Sequence, residues 1–178
     1  MQKLLINGKS FSEYISENDL RSIVDKTVSK IVSEFKDIEE PVVIGILNGG
    51  IPFMNEIIFR LPENVMVDYV KAASYGDGTT SSGRIELLLD TKLDLQGKTV
   101  LLVDDISDTG RTMDYLAARM KEKGAGKVKT ACLFYKKCPG VKEPDFYGTE
   151  TGDDFIVGFG LDYAQRGRNI KRILKLDK

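Results

Sequence analysis

The chain has 178 residues, 42% hydrophobic and 30% charged, enough for one compact domain with a substantial core and ordinary for a globular protein. Its 26 basic and 27 acidic side chains leave a formal charge of -1, which removes the electrostatic case for a nucleic-acid or anionic-membrane partner. The absence of histidine excludes Ser-His-Asp and Cys-His catalysis and every imidazole metal site, so carboxylates, Lys, Tyr or backbone must do any acid-base work.

The N-terminal apolar run Leu4-Leu5-Ile6 is too short for a signal peptide, and no later window approaches the ~20 apolar residues of a membrane span. A soluble, cytoplasmic protein is expected. Leu20, Ile23, Val24, Val28, Ile31, Val32 and Phe35 recur at spacings of three and four between charged residues, the pattern of an amphipathic helix. From Pro41 to Leu47 the chain is continuously apolar and rich in β-branched residues, which predicts a strand buried on both faces of a parallel sheet. Helical spacing returns from Ile51 to Leu61, and Val65 to Val70 reads as a second strand.

The stretch from Ser74 to Gly83 is polar apart from Tyr75 and holds three glycines, so it reads as a mobile loop that cannot pack a core. Strands are predicted at Ile85 to Leu89 and Lys98 to Val103. Beyond them Asp104 to Gly110 turns the chain into a helix through Met113, Leu116, Ala117 and Met120. Gly124 and Gly126 end that helix, and Val128 to Tyr135 is another strand. The order implies an α/β domain around a mostly parallel sheet. After Cys138 the pattern is less regular, and only Phe155 to Phe159 looks like a strand. Cys132 and Cys138, with five residues between them, match no common zinc or redox spacing and read as reduced thiols.

The sharpest segment is Leu101 to Thr112. An apolar strand delivers Asp104 and Asp105 to its C-terminal edge, where α/β proteins bind ligands. Asp108, Thr109 and Thr112 could simply cap the next helix, but that accounts for one carboxylate of three. The fuller reading has backbone N–H groups and hydroxyls of residues 108–112 cradling a phosphate at the helix N-terminus, with Asp104 and Asp105 binding hydroxyls or a divalent cation beside it. Such a site implies a phosphorylated sugar.

That segment resembles the phosphoribosyl pyrophosphate signature of the type I phosphoribosyltransferases. Three further segments, Leu47 to Gly50, Ser74 to Gly83, and Asp154 to Tyr163 followed by Arg166 to Asn169, are similar to the hypoxanthine and hypoxanthine-guanine branch of that family. The resemblance runs in order from about Val42 to Asn169. It implies a single domain over residues 1–178, with a helix-flanked, mostly parallel core sheet over about 37–138 and a small hood from about 1–16 and 139–178. It further implies transfer of a phosphoribosyl group to hypoxanthine or guanine, with Mg2+ as cofactor, in a homodimer or homotetramer.

The same resemblance assigns roles. Asp104 and Asp105 would hold the ribose hydroxyls and a magnesium ion, Asp108 would take the purine N7 proton, and Thr109, Gly110, Arg111 and Thr112 would hold the 5′-phosphate. Leu47, Asn48, Gly49 and Gly50 resemble the pyrophosphate loop, which in relatives often contains a non-proline cis peptide; Lys71 and Arg168 would contact the same group. Lys136 would donate to the purine 6-oxo group, Phe155 would stack on the base, Ile156 would offer backbone groups to its edge, and Asp162 would bind a second magnesium. The lid would comprise Ser74, Tyr75, Thr79, Thr80, Ser81, Ser82 and Gly83. Three positions depart from the usual pattern: the acidic pair is Asp-Asp where Glu-Asp is common, Lys71 stands for an arginine, and Asn48 for a lysine.

Simpler readings exist for single residues. Phe155 could be a core aromatic in a strand, Lys136 and Lys137 a solvated pair, and Tyr75 a loop anchor. A nucleotide-sensing or RNA-binding protein on the same fold is the rival for the whole chain; it would want a basic face, and only Arg166 to Lys178 is enriched in cations. A receiver-type signalling domain would place its acidic pair near the N-terminus.

Overall fold

The computed structural model describes residues 3–75 and 84–177. The hood begins with a hairpin, β1 (Leu4–Ile6) and β2 (Lys9–Ile15), turned by Asn7 and Gly8 at φ 47 and 76. Helix α1 (Glu17–Phe35) follows; Ser16 caps it, its Oγ accepting from the Asp19 N–H at 3.2 Å and donating to the Asp19 carboxylate at 2.6 Å. Leu20, Val24, Val28, Ile31 and Phe35 form its buried face, as their spacing predicted.

Strand β3 (Val42–Ile46) is buried at every position. It leads through residues 47–50 to α2 (Ile51–Ile58), one turn shorter than the apolar spacing suggested, and then to β4 (Met66–Tyr75). β4 runs through Ser74 and Tyr75, beyond the Val70 limit read from apolar content, because β5 (Arg84–Leu89) pairs antiparallel with it up to Tyr75 opposite Arg84. A polar run can be strand where the partner is another strand of an edge ribbon and no core must be filled. The intervening lid residues Thr79, Thr80, Ser81, Ser82 and Gly83 lie outside the described residues.

β6 (Thr99–Ser107) is also longer than expected and carries Asp104 and Asp105 within the strand rather than after it. Its pairing with β3 stops at Val103, while pairing with β7 (Lys127–Lys136) continues to Ser107 opposite Tyr135. Between them, α3 (Arg111–Glu122) is capped by Gly110 at φ 71 without a side-chain cap, so none of Asp108, Thr109 and Thr112 caps it, although Thr112 stands in its first turn. Beyond Cys138 the chain is more regular than its sequence suggested. β8 (Phe146–Thr151) completes the main sheet, and β9 (Ile156–Val157) and β10 (Ile173–Leu176) join the hood. Phe155 precedes β9 and is not itself in a strand.

The main sheet has the order β5-β4-β3-β6-β7-β8, parallel except for β4–β5. One face packs on α1 and α2 through Val43, Leu101, Val103 and Leu133; the other packs on α3 through Val42, Ile44, Val100 and Leu102. The antiparallel hood sheet, β1-β2-β10-β9, closes over its own cluster of Ile6, Phe11, Val157 and Leu174. From β3 the chain steps to β4 on one side, and from β6 it steps to β7 and β8 on the other. The crevice at the C-terminal ends of β3 and β6 is therefore the switch point where ligands of such sheets bind.

Candidate active site

Successive residues of a strand face opposite sides, and the acidic pair on β6 uses this. Asp104 lines a pocket with Ser107, Asp108, Thr109, Gly110 and Thr112 at the start of α3. Asp105 turns to the other face, against Gly49, where an added Cβ would collide with its carboxylate. One carboxylate thus faces the pocket at the start of α3 and the other the 47–50 loop. Burial, then the charge and hydrogen bonding of Asp105, hold Asp104 well above the usual carboxylate range. Asp105 is also raised by burial, although Asp104, the Ile106 N–H and the charge of Arg168 oppose the shift.

The Leu47–Asn48 peptide is cis. Leu47 N–H donates to the Val70 carbonyl at 2.9 Å, which sets Lys71, the next residue of β4, beside this loop. Gly50 fits where a Cβ would stand 2.8 Å from the Ile46 and Val103 carbonyls. From the hood, Gly160 at φ 104 packs so closely on the Gly49 carbonyl that no Cβ could be accommodated. Gly110 lies beneath Val141, whose Cγ1 would be 3.0 Å from an added Cβ.

Lys136, at the end of β7, reaches Asp108, with Nζ 3.0 Å from Oδ1. Its side chain is only 18% exposed. The neighbouring Lys137, paired with Glu150, is 66% exposed and is the solvated member of the two. Phe155 is 46% exposed, so it is not the core aromatic its type suggests. Ile156 is buried at the start of β9. Asp162 pairs with Arg168 at 2.6 Å and accepts from the Gln165 N–H at 2.7 Å; Arg168 also donates to the Gly160 carbonyl at 2.7 Å. Arg111 opens α3.

Residues 13–164 match the profile of the phosphoribosyl transferase domain. The chain belongs to the phosphoribosyltransferase family. This phosphoribosyltransferase is 37% identical to a hypoxanthine-guanine phosphoribosyltransferase of Aquifex aeolicus across 97% of this chain and 98% of that protein. The Streptococcus pyogenes serotype M3 enzyme of the same name is 37% identical over 87% of each chain. Among solved structures, a Bacillus anthracis hypoxanthine-guanine phosphoribosyltransferase superposes with a TM-score of 0.85 at 31% identity, covering 93% of this chain and 98% of that one.

The structure brings Asp104, Asp108, Thr109, Gly110 and Thr112 to one pocket, and Asp105, Gly49 and Gly160 to the adjoining crevice. No three Asp, Glu or Cys side chains among the described residues converge as one metal site, while Arg168, paired with Asp162, also acts by its charge on Asp105. Sequence reasoning missed Ser107, buried in the pocket at the start of α3, and Gly160. The Gly158-Phe159-Gly160 spacing was the available signal, since both glycines have positive φ. Cys132 and Cys138 are unpaired.

Proposed function

We propose that this phosphoribosyltransferase serves purine salvage, transferring the 5-phosphoribosyl group of phosphoribosyl pyrophosphate to N9 of hypoxanthine or guanine and releasing pyrophosphate. The observation that carries the reading is the 3.0 Å pair of Lys136 and Asp108 at the edge of the phosphate pocket. A 6-oxopurine presents O6 and N7 side by side on one edge. An ammonium and a carboxylate in contact can address both, Lys136 donating to O6 and Asp108 accepting the N7 proton as general base. Phe155 stacks on the base, and Ile156 offers backbone groups to its edge.

Residues 109–112 hold the 5′-phosphate at the start of α3, where Gly110 leaves the N–H groups uncovered by a side-chain cap. The ribose becomes cationic as the bond to pyrophosphate breaks, and Asp104 and Asp105 supply negative charge beside it. Lys71, Arg168 and the 47–50 loop receive the leaving group. The oxygen donors of Asp104, Asp105 and Asp162 suit a hard cation, so these carboxylates would be the residues to hold magnesium. When bound, it would supply neutralisation of charge on the pyrophosphate.

The work belongs in the cytoplasm, in a homodimer or homotetramer; no described helix is long and apolar enough to cross a membrane. The RNA-binding alternative is disfavoured because half of the cations in its one basic segment are paired: Arg168 with Asp162, Arg172 with Glu13 and Lys175 with Asp154. The test is nucleotide formation from phosphoribosyl pyrophosphate with hypoxanthine, guanine, xanthine and adenine. Efficient use of the 6-oxopurines and a kcat/KM for adenine lower by ~10⁴-fold is expected, because an amino group would face the Lys136 donor. Comparable efficiencies for adenine and hypoxanthine would overturn it.

A further inference from the structure

A stacking residue contributes to affinity only if its ring is held in place, and Phe155, at 46% exposure, receives little orientation from the core. Its ring meets Tyr163, with centroids 5.7 Å apart and planes at 83°. Tyr163 in turn lies 5.8 Å from Phe11, which is fully buried in the hood cluster with Ile6, Val157 and Leu174. Three rings thus run from the hood interior to the surface assigned to the base, and Tyr163 is the link.

Tyr163 is itself fixed by a tight turn. Its N–H donates to the Arg166 carbonyl at 2.9 Å, and the Arg166 N–H returns to the Tyr163 carbonyl at 3.1 Å. Ala164 and Gln165 between them have φ of 50 and 65, the left-handed pair of a type I′ turn, which non-glycine residues rarely adopt. The turn is closed further by the Gln165 N–H on Asp162, which also grips Arg168. Neighbouring residues of one turn therefore carry the pyrophosphate-side ion pair and the ring behind the base.

We propose that Tyr163 is a positioning residue that holds Phe155 in its stacking orientation and so sets purine affinity without touching the reacting atoms. The inference rests on the reading of Phe155 as the base-stacking residue. Tyr163→Leu should raise KM for hypoxanthine about 3–10-fold, the size of an aromatic pair's contribution, and leave KM for phosphoribosyl pyrophosphate within about twofold. Tyr163→Phe keeps the ring and should restore the native KM. In a Phe155→Leu background, Tyr163→Leu should add no further rise, since the group it positions is gone.

If Phe155→Leu alone leaves KM for hypoxanthine unchanged, the stacking assignment fails and this inference falls with it. If Phe155→Leu raises it while Tyr163→Leu does not, Tyr163 alone is misassigned. Tyr163 is equally misassigned if Tyr163→Leu raises both substrates' KM together or acts undiminished in the Phe155→Leu background. Tyr163→Met, which fills more of the hood, makes the same comparison should the leucine variant not fold.

Discussion

Replacing Asp108 by Asn keeps an acceptor for the Lys136 ammonium, 3.0 Å away in the native chain, but removes the carboxylate assigned to the purine proton. Turnover should fall by ~10²–10⁴-fold with phosphoribosyl pyrophosphate binding retained, measured by steady-state kinetics and by ligand titration. Near-native turnover at neutral pH would show that another group takes the proton. Lys136→Met has a different signature. It keeps most of the side-chain length and deletes the donor, so efficiency with hypoxanthine should drop while the gap to adenine narrows. At this scale the sequence was legible only in part. The identity of each residue was plain, but whether Lys136 or Lys137 was the solvated one, and whether Phe155 was core or surface, depended on where β7 and β9 end.

Among the elements, those whose apolar residues repeat strongly were readable: α1, the wholly buried β3, and α3 with its apolar face. Strands that carry function or polar edges were not. β6 looked finished at Val103 because charge signals exposure, yet the β7 partner extends it through both acids. β8, with polar residues at most positions, and the short β9 and β10 have too little pattern to stand out; they exist because neighbouring strands pair with them. The hood's contact with the 47–50 loop at Gly160 is likewise a tertiary fact. Gly160→Ala would place a Cβ on the Gly49 carbonyl at a backbone φ of 104. It should lower kcat/KM for phosphoribosyl pyrophosphate more than ~10-fold and cost about 1–3 kcal/mol of stability, read from kinetics and denaturant melts. A fully active variant with native stability would mean that the loop and hood are free to separate.

Across the whole molecule, two partly buried carboxylates tie elements that are distant in sequence. Asp90, just after β5, accepts from Arg119 Nη2 at 2.9 Å and Lys123 Nζ at 3.4 Å, fastening the β4–β5 ribbon to α3. Asp145, just before β8, accepts from the Thr130 N–H at 2.9 Å, the Thr130 hydroxyl at 3.1 Å and Lys129 Nζ at 2.9 Å, fastening β8 to β7. Burial pushes both up, but their cationic and N–H partners outweigh it and hold both below the usual carboxylate range. A carboxylate depressed in the folded chain contributes stability above its unfolded value of about 3.9 and loses it as pH falls through the folded value. The protein should therefore lose stability below about pH 4 as these ties protonate. Asp145→Asn isolates the charge, since the amide oxygen can still accept from Thr130. At pH 7 it should lower stability by about 1 kcal/mol, discounted for partial exposure, or about 3 °C in Tm for a chain of this length. At an acid pH below the folded value the native and variant melts should converge, because the native carboxylate is then neutral too. Melts that differ equally at both pH values would assign the loss to hydrogen-bond geometry at Thr130, not to the charge that Lys129 balances.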